Sequence, residues 1–273
     1  MSKLNLYEKN VIISGVSSGI GKEIARILID KYNCNVFGIA RDENKIIDFI
    51  KELKNPDKLR HYALFDVSCE QSWVNFSKQL TEKNFIPDLL INCAGVLPKF
   101  ASFENSEIKD IERVLNVNFF SCVYSAKHLL PHLKKSTFPC IVNVSSSASL
   151  ADFAGITGYA SSKSALKSFT LCLSSEIGKK GYIGCICPGF SSTGIFREQS
   201  ASEKDLKLIK KLSTPPEKVA KKTVKAIKKK KRLKIIGYDA KLMNFFYRLM
   251  PKTTSKIITK LLKKSGLEIF KEL

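Results

Sequence analysis

The chain has 273 residues, 44% of them hydrophobic and 10% aromatic, with a formal net charge of +21. It is long and apolar enough to bury one large core. No apolar run approaches the roughly 18 residues of a spanning helix, and Met1 to Lys9 lacks the apolar stretch of a signal peptide. The eight cysteines form no Cys-x-x-Cys pair and only three histidines accompany them, so buried free thiols in a reducing cytoplasm are expected rather than a metal site. No Pro/Gly/Ser linker and no repeat divides the chain. The charge is uneven: Glu203 to Leu273 carries 22 Lys/Arg against 6 Asp/Glu, whereas the preceding residues are near balance.

In chain order, Asn10 to Ser14 is a short apolar run that breaks into the turn Gly15-x-x-x-Gly19-x-Gly21. Gly19 to Tyr32 then has helical periodicity. Asn35 to Ala40 is a second strand, followed by a polar helix over about 43–54. Arg60 to Phe65 is a third strand candidate, with a helix over about 72–83. Leu89 to Asn92 and Cys140 to Val144 are two more, separated by a long helical stretch over about 107–134. Tyr159 to Lys179 reads as helix and Ile183 to Pro188 as a sixth strand. Continuous apolar strands alternating with helices predict a parallel sheet covered on both faces, with ligands at the carboxyl ends of its strands. Ser14/Gly15, Ala40/Arg41, Asp66, Asn92, Ser145/Ser146 and Pro188/Gly189 all fall at those ends.

Glycines directly after strand one let the backbone approach a pyrophosphate, and the next helix offers free N–H groups. Gly15, Ser17, Ser18, Gly19, Ile20 and Gly21 are therefore candidate cofactor contacts, although the spacing differs from Gly-x-Gly-x-x-Gly. The end of strand two reads Ala40-Arg41, with Lys45 one turn along the next helix. Two cations without an anion favour the 2′-phosphate of NADP(H). Tyr159 and Lys163 are spaced i, i+4 and share a helix face. A tyrosine hydroxyl alone is too weak an acid for proton transfer near neutral pH, and a neighbouring ammonium favours its ionised form. Ser146 is positioned to hydrogen-bond a developing alkoxide.

With these residues in this order, the chain resembles the short-chain dehydrogenase/reductase family over about residues 8–196. Gly15/Gly19/Gly21, Asp66-Val67, Asn92-Cys93-Ala94-Gly95, Asn118, Ser146, Tyr159, Lys163 and Pro188-Gly189 with Thr193 carry the likeness. The resemblance implies a single-domain α/β fold: a Rossmann-type doubly wound parallel sheet with helices on both faces and a C-terminal helical extension. It further implies that Asp66 and Val67 contact the adenine, and that Asn118 holds a proton-relay water linked to Lys163. Asn92, Ala94 and Gly95 belong to its cofactor-binding pattern, and Pro188, Gly189 and Thr193 would line the nicotinamide end. A homodimer or homotetramer through the helices near 107–132 and 159–179 is implied as well. Two departures are Cys93, where the family usually has Asn, and Ser14, where it usually has Thr. The chain is similar both to 3-ketosphinganine reductases and to hydroxysteroid dehydrogenases.

Residues 1–240 are read as the catalytic domain and 241–273 as its basic amphipathic extension. Ile195, Phe196, Leu206, Leu208, Ile209 and Leu212 are expected to form an apolar lid, which points to an apolar carbonyl or alcohol substrate. Pro216 to Lys231 reads as a basic helix. Beyond Lys241, apolar residues alternate with lysines, a pattern that fits peripheral membrane contact and fits equally a helix packed on the body or on a second subunit. The basic region lacks any nucleic-acid-binding motif, so nucleic acid is not the expected partner. The expected function is NADP(H)-dependent interconversion of a ketone and a secondary alcohol on an apolar molecule, a steroid or bile acid or a long-chain keto lipid; the alternatives are a catalytically silent NADP(H)-binding regulator and a membrane-surface or nucleic-acid-binding protein that uses the basic C-terminal region.

Overall fold

A computed structural model describes residues 3–59, 61–191, 195, 207 and 213–270. Its centre is a sheet of seven parallel strands in the order β3-β2-β1-β4-β5-β6-β7. The strands are β1 (Asn10–Ser14), β2 (Asn35–Ala40), β3 (His61–Leu64), β4 (Leu89–Asn92), β5 (Cys140–Val144), β6 (Tyr182–Pro188) and β7 (Leu233–Ile236). Between the first three strands lie α1 (Gly19–Tyr32) and α2 (Glu43–Lys51). α3 (Glu70–Glu82) leads into β4, and α4 (Ile108–Leu115), a π-helical stretch (Asn116–Phe120) and α5 (Ser121–Leu133) lead into β5. α6 (Thr157–Ile177) precedes β6 and α7 (Pro216–Lys228) precedes β7. α8 (Tyr238–Leu249) and α9 (Pro251–Lys264) follow.

The continuous apolar strands are explained by two cores, one on each face. Successive side chains of a strand point to opposite faces. Val11 and Ile13, Leu89 and Ile91, and Cys140 and Val142 enter one core, where α1, α2 and α7 supply Ile24, Leu28, Phe49 and Val224. Ile12, Leu90 and Ile141 enter the other, against Trp73, Phe76, Leu129 and Leu133 of α3 and α5. Strand order reverses between β1 and β4. The connections there diverge to opposite faces and leave a crevice at the carboxyl ends, where open α/β sheets bind ligands.

Three expectations change. The sequence reading gives six strands, and the structure adds β7. It is four residues long, carries Lys234 in its middle and buries only Ile236. The stretch over 107–134 is not one regular helix, because the π-helical turn interrupts it at Asn116–Phe120. The boundary read at residue 240 falls inside α8. Of the lid residues only Ile195 lies within the described residues, where it packs on the second core. Among the described residues no helix is long and apolar enough to cross a membrane, and no cluster of His, Cys, Asp and Glu is placed to hold a metal ion.

All eight cysteines are free, but Cys69 and Cys172 are exposed. Cys69 occupies the position just before α3, and hydrogen bonds from Ser72 hold its thiol below the ordinary range. Burial instead pushes Cys34, Cys93 and Cys140 up to about 12. Thiolate is the reactive form, so near neutral pH iodoacetamide should modify Cys69 well before Cys93. Peptide mass mapping over a time course checks this order; equal rates would contradict it.

Candidate active site

The chain leaves β1 through Gly15 with φ +72°, in the left-handed region. A Cβ on Gly15 would lie 2.9 Å from the backbone of Ala94, and one on Gly21 would lie 2.2 Å from Gly15 O. Both positions therefore require glycine. Ser14 Oγ ties the same strand ends by accepting from Cys93 N at 3.2 Å and Ala94 N at 3.4 Å. The Ser18 side chain makes no capping bond at the start of α1, which leaves first-turn N–H groups for a ligand. Gly15, Ser17, Ser18, Gly19, Ile20 and Gly21 line a cleft of about 580 Å³ along the carboxyl edge of the sheet. Arg41, Lys45, Asp66, Val67, Ala94, Gly95, Ser146, Tyr159, Lys163, Pro188 and Gly189 line it too. Thr193 lies outside the described residues.

The strand-two end is less purely cationic than the sequence reading assumed. Asp42 also lines the cleft, caps α2 by accepting from Lys45 N at 3.2 Å, and pairs with Lys45 Nζ at 2.5 Å. Lys45 is therefore partly neutralised, in an exposed pair that solvent screens. Arg41 acts instead on Asp66. Burial opposes ionisation of Asp66, but hydrogen bonds from Ser68 N and Oγ at 2.9 and 2.8 Å, with the Arg41 charge, hold its carboxyl below the usual range.

At the other end, one helix carries the reactive groups. Tyr159 and Lys163 are buried on α6, with Lys163 Nζ 5.9 Å from the centre of the Tyr159 ring. Lys163 Nζ donates to Val144 O at 3.1 Å, which leaves the ammonium two donors beside the cleft it lines. Of the three consecutive serines, Ser145 is committed to Lys163 O at 2.8 Å. Ser146 Oγ accepts from Ala148 N at 3.2 Å, so its own proton remains to be donated into the cleft.

Asn118 does not line the cleft. It is fully buried in the π-helical stretch, a type of turn common at functional sites. Its side chain clamps Val96 from both sides, Oδ1 accepting from Val96 N at 2.8 Å and Nδ2 donating to Val96 O at 2.9 Å. Gly95 lies between this amide and the lysine: its Cβ would be 3.1 Å from Asn118 Oδ1 and 3.4 Å from Lys163 Nζ. Asn92 is also buried away from the cleft. Its amide donates to Asn143 Oδ1 at 2.9 Å and accepts from Ser125 Oγ at 3.0 Å, while Asn143 Nδ2 donates to Thr170 Oγ1 at 2.9 Å. This chain joins α5, β4, β5 and α6 beneath the site.

Other contributors carry no motif. Leu97, Phe100, Phe153, Ile156, Phe190 and Ile195 give the cleft an apolar wall. Asp239, in the first turn of α8, accepts from Phe190 N at 2.8 Å, and a Cβ on Gly189 would lie 2.1 Å from its carboxylate. The loop after β6 is thereby fixed from the far end of the chain. Only the hydrophobicity of the wall residues could have flagged them.

Fold and cleft together place the protein among dinucleotide-binding oxidoreductases. More narrowly, the chain belongs to the short-chain dehydrogenase family, whose profile matches residues 9–204. It is similar to the 3-ketodihydrosphingosine reductase of Bos taurus, at 32% identity over 81% of this chain and 69% of that protein. It also resembles the benzil reductase ((S)-benzoin forming) of Saccharomyces cerevisiae, at 35% identity over 68% of this chain and 72% of that one. Among solved structures, a short-chain dehydrogenase/reductase from S. cerevisiae superposes with a TM-score of 0.68 at 26% identity, covering 80% of this chain and 90% of that one. An alcohol dehydrogenase from Thermococcus sibiricus, solved with 5-hydroxy-NADP, shares the fold with a TM-score of 0.70 at 23% identity over 84% and 94% of the two chains. The family binds a nicotinamide cofactor. The residues present fit one: a glycine turn at a helix N-terminus, Arg41 at one end of the cleft and unspent Lys163 donors at the other.

Removing Asn92 should weaken the scaffold, because Asn143 Oδ1 is left buried and unpaired. Asn92→Ala should cost about 1–3 kcal/mol of unfolding free energy. The Asn92→Ala/Asn143→Ala double variant should lose less than the sum of its two single variants. Urea denaturation of the three proteins checks both statements.

Proposed function

We infer that this oxidoreductase is an NADP(H)-dependent reductase of a ketone on a long-chain apolar molecule. The observation that carries the reading is the Tyr159–Lys163 pair lining one apolar-walled cleft together with Ser146. When bound, the nicotinamide supplies the hydride to the carbonyl carbon. The Tyr159 hydroxyl gives its proton to the carbonyl oxygen, which becomes the alcohol. Ser146 donates a hydrogen bond to the same oxygen and orients it, since its own oxygen is already engaged by Ala148 N. The Lys163 ammonium stabilises the phenolate that proton loss leaves on Tyr159, and its spare donors suit ribose hydroxyls. Tyr159 is reprotonated through Lys163, which in turn draws a proton from solvent by way of the relay water that the resemblance assigns to Asn118. Asn118 also keeps Gly95 and Val96 in place beside the lysine.

Three observations support the substrate class and cofactor. The wall from Leu97 to Ile195 is apolar. The chain resembles 3-ketodihydrosphingosine reductases over four-fifths of its length. Arg41 stands at the end of β2, and Asp42, the acid beside it, is occupied by Lys45. Oxosteroids are the natural comparison substrates.

Tyr159→Phe should lower kcat by at least roughly a hundredfold, while the dissociation constant for NADPH, read by fluorescence titration, stays near that of the parent. Retained turnover would refute the mechanism. Arg41→Ala should weaken NADPH binding by roughly 10- to 100-fold, the loss of one charge-assisted contact, and leave NADH binding little changed. Lys45→Ala should have a smaller effect because Asp42 already engages that lysine. Equal loss for both cofactors in Arg41→Ala would overturn the NADP(H) assignment.

A further inference from the structure

Eight of the fifteen exposed large apolar side chains among the described residues lie between Tyr238 and Leu261. On α8, Leu242, Phe245, Phe246 and Leu249 follow the i, i+3, i+4, i+7 spacing of one helix face and are 43, 57, 40 and 62% exposed. On α9, which packs against α8, Ile257 and Leu261 are 51 and 63% exposed and one turn apart. Apolar residues scattered singly over a surface need no explanation, whereas a concentration of this kind does. Around it the charge is almost all of one sign: residues 238–264 hold seven Lys/Arg and one acid, Asp239, which is engaged by Phe190 N.

We propose that α8 and α9 form a docking surface for an anionic lipid bilayer. The charge selects this occupant: the lysines complement anionic headgroups, and two copies of so cationic a surface would repel each other. Neither helix is long and apolar enough to span a membrane, so both would lie in the interface with their apolar faces down. The surface also adjoins the mouth of the active site. Tyr247 Oη donates to Asp152, and Ala154 N donates to Thr259 Oγ1 at 3.3 Å. Between residues 152–154 and α9 runs a groove of about 670 Å³. Phe153 lines this groove and the catalytic cleft alike. Docking would therefore bring an apolar substrate dissolved in the bilayer to the cleft past Phe153. That delivery rests on the function inferred above, whereas the docking does not.

Co-sedimentation of the full chain with phosphatidylcholine vesicles, with and without phosphatidylglycerol, tests the proposal independently of turnover. The parent should bind the anionic vesicles, at least roughly tenfold more strongly than the neutral ones. Phe245→Glu/Leu249→Glu should lose at least roughly tenfold of that partition while keeping its circular dichroism spectrum and NADPH affinity. Lys256→Glu/Lys260→Glu should abolish the preference for anionic vesicles. Absence of binding, equal binding to both vesicle types, or binding unchanged in Phe245→Glu/Leu249→Glu would each overturn it. A self-associated species in light scattering that those two glutamates dissolve, with no vesicle binding, would assign the patch to a second copy instead.

Discussion

Lys163 is 4% exposed, and among the described residues no carboxylate pairs with it. Taking an ammonium out of water is costly unless hydrogen bonds replace the lost hydration. Here the replacements come from the scaffold: Val144 O at the end of β5 receives the ammonium, and Ser145 Oγ, one residue on, bonds the lysine carbonyl. Gly95 is small enough to pass beside the ammonium, and the Asn118 clamp on Val96 keeps that bend in place. The exit from β5, the exit from β4 and the middle of α6 are thus fixed around one charge. Tyr159, one turn away on the same helix, inherits its position from this arrangement.

The scaffold that bears the cost extends beneath the site. Ser125, Asn92, Asn143 and Thr170 link the two central strands to the helices on one face. Every bond in that chain is buried, where an unpaired amide is expensive, so the register of β4 on β5 is strongly specified. The C-terminal region is likewise part of the site. Asp239 fixes the loop at Gly189 and Phe190, and Phe270 packs edge-on against Phe100 of the cleft wall with ring centres 4.7 Å apart. A change at Asp239, in the first turn of α8, therefore reaches the loop that follows β6.

Much of this was legible in the residues. Strands β1, β2, β4, β5 and β6 announce themselves as short apolar runs, because the interior of a parallel sheet is buried on both faces, whereas β3 at the edge is no more than half-buried. The glycine turn and the Tyr159–Lys163 spacing are local, so they survive in one dimension. What escaped depends on contacts between distant segments. Asn92 looked like a cofactor residue, yet its partner Asn143 becomes visible only once β4 is known to lie beside β5. Asn118 reads as helical, but the π turn that directs its amide toward Val96 leaves no composition signal. β7 was hidden by Lys234 and the lysine run before it. The role of Asp42 is local and legible, since an acid three residues before Lys45 at a helix start is a common cap and ion pair.

The central claim is that the cleft reduces a ketone on an apolar chain at the expense of NADPH. Its most direct test is to follow NADPH oxidation at its absorbance band with 3-ketosphinganine, an oxosteroid, a 3-oxoacyl thioester and a small polar ketone, each presented with anionic vesicles. The account predicts the highest kcat/KM for the long-chain ketone and little turnover of the polar one. NADPH that binds while none of the four is reduced would contradict it, and would point to a cofactor-binding protein that does no chemistry on ketones.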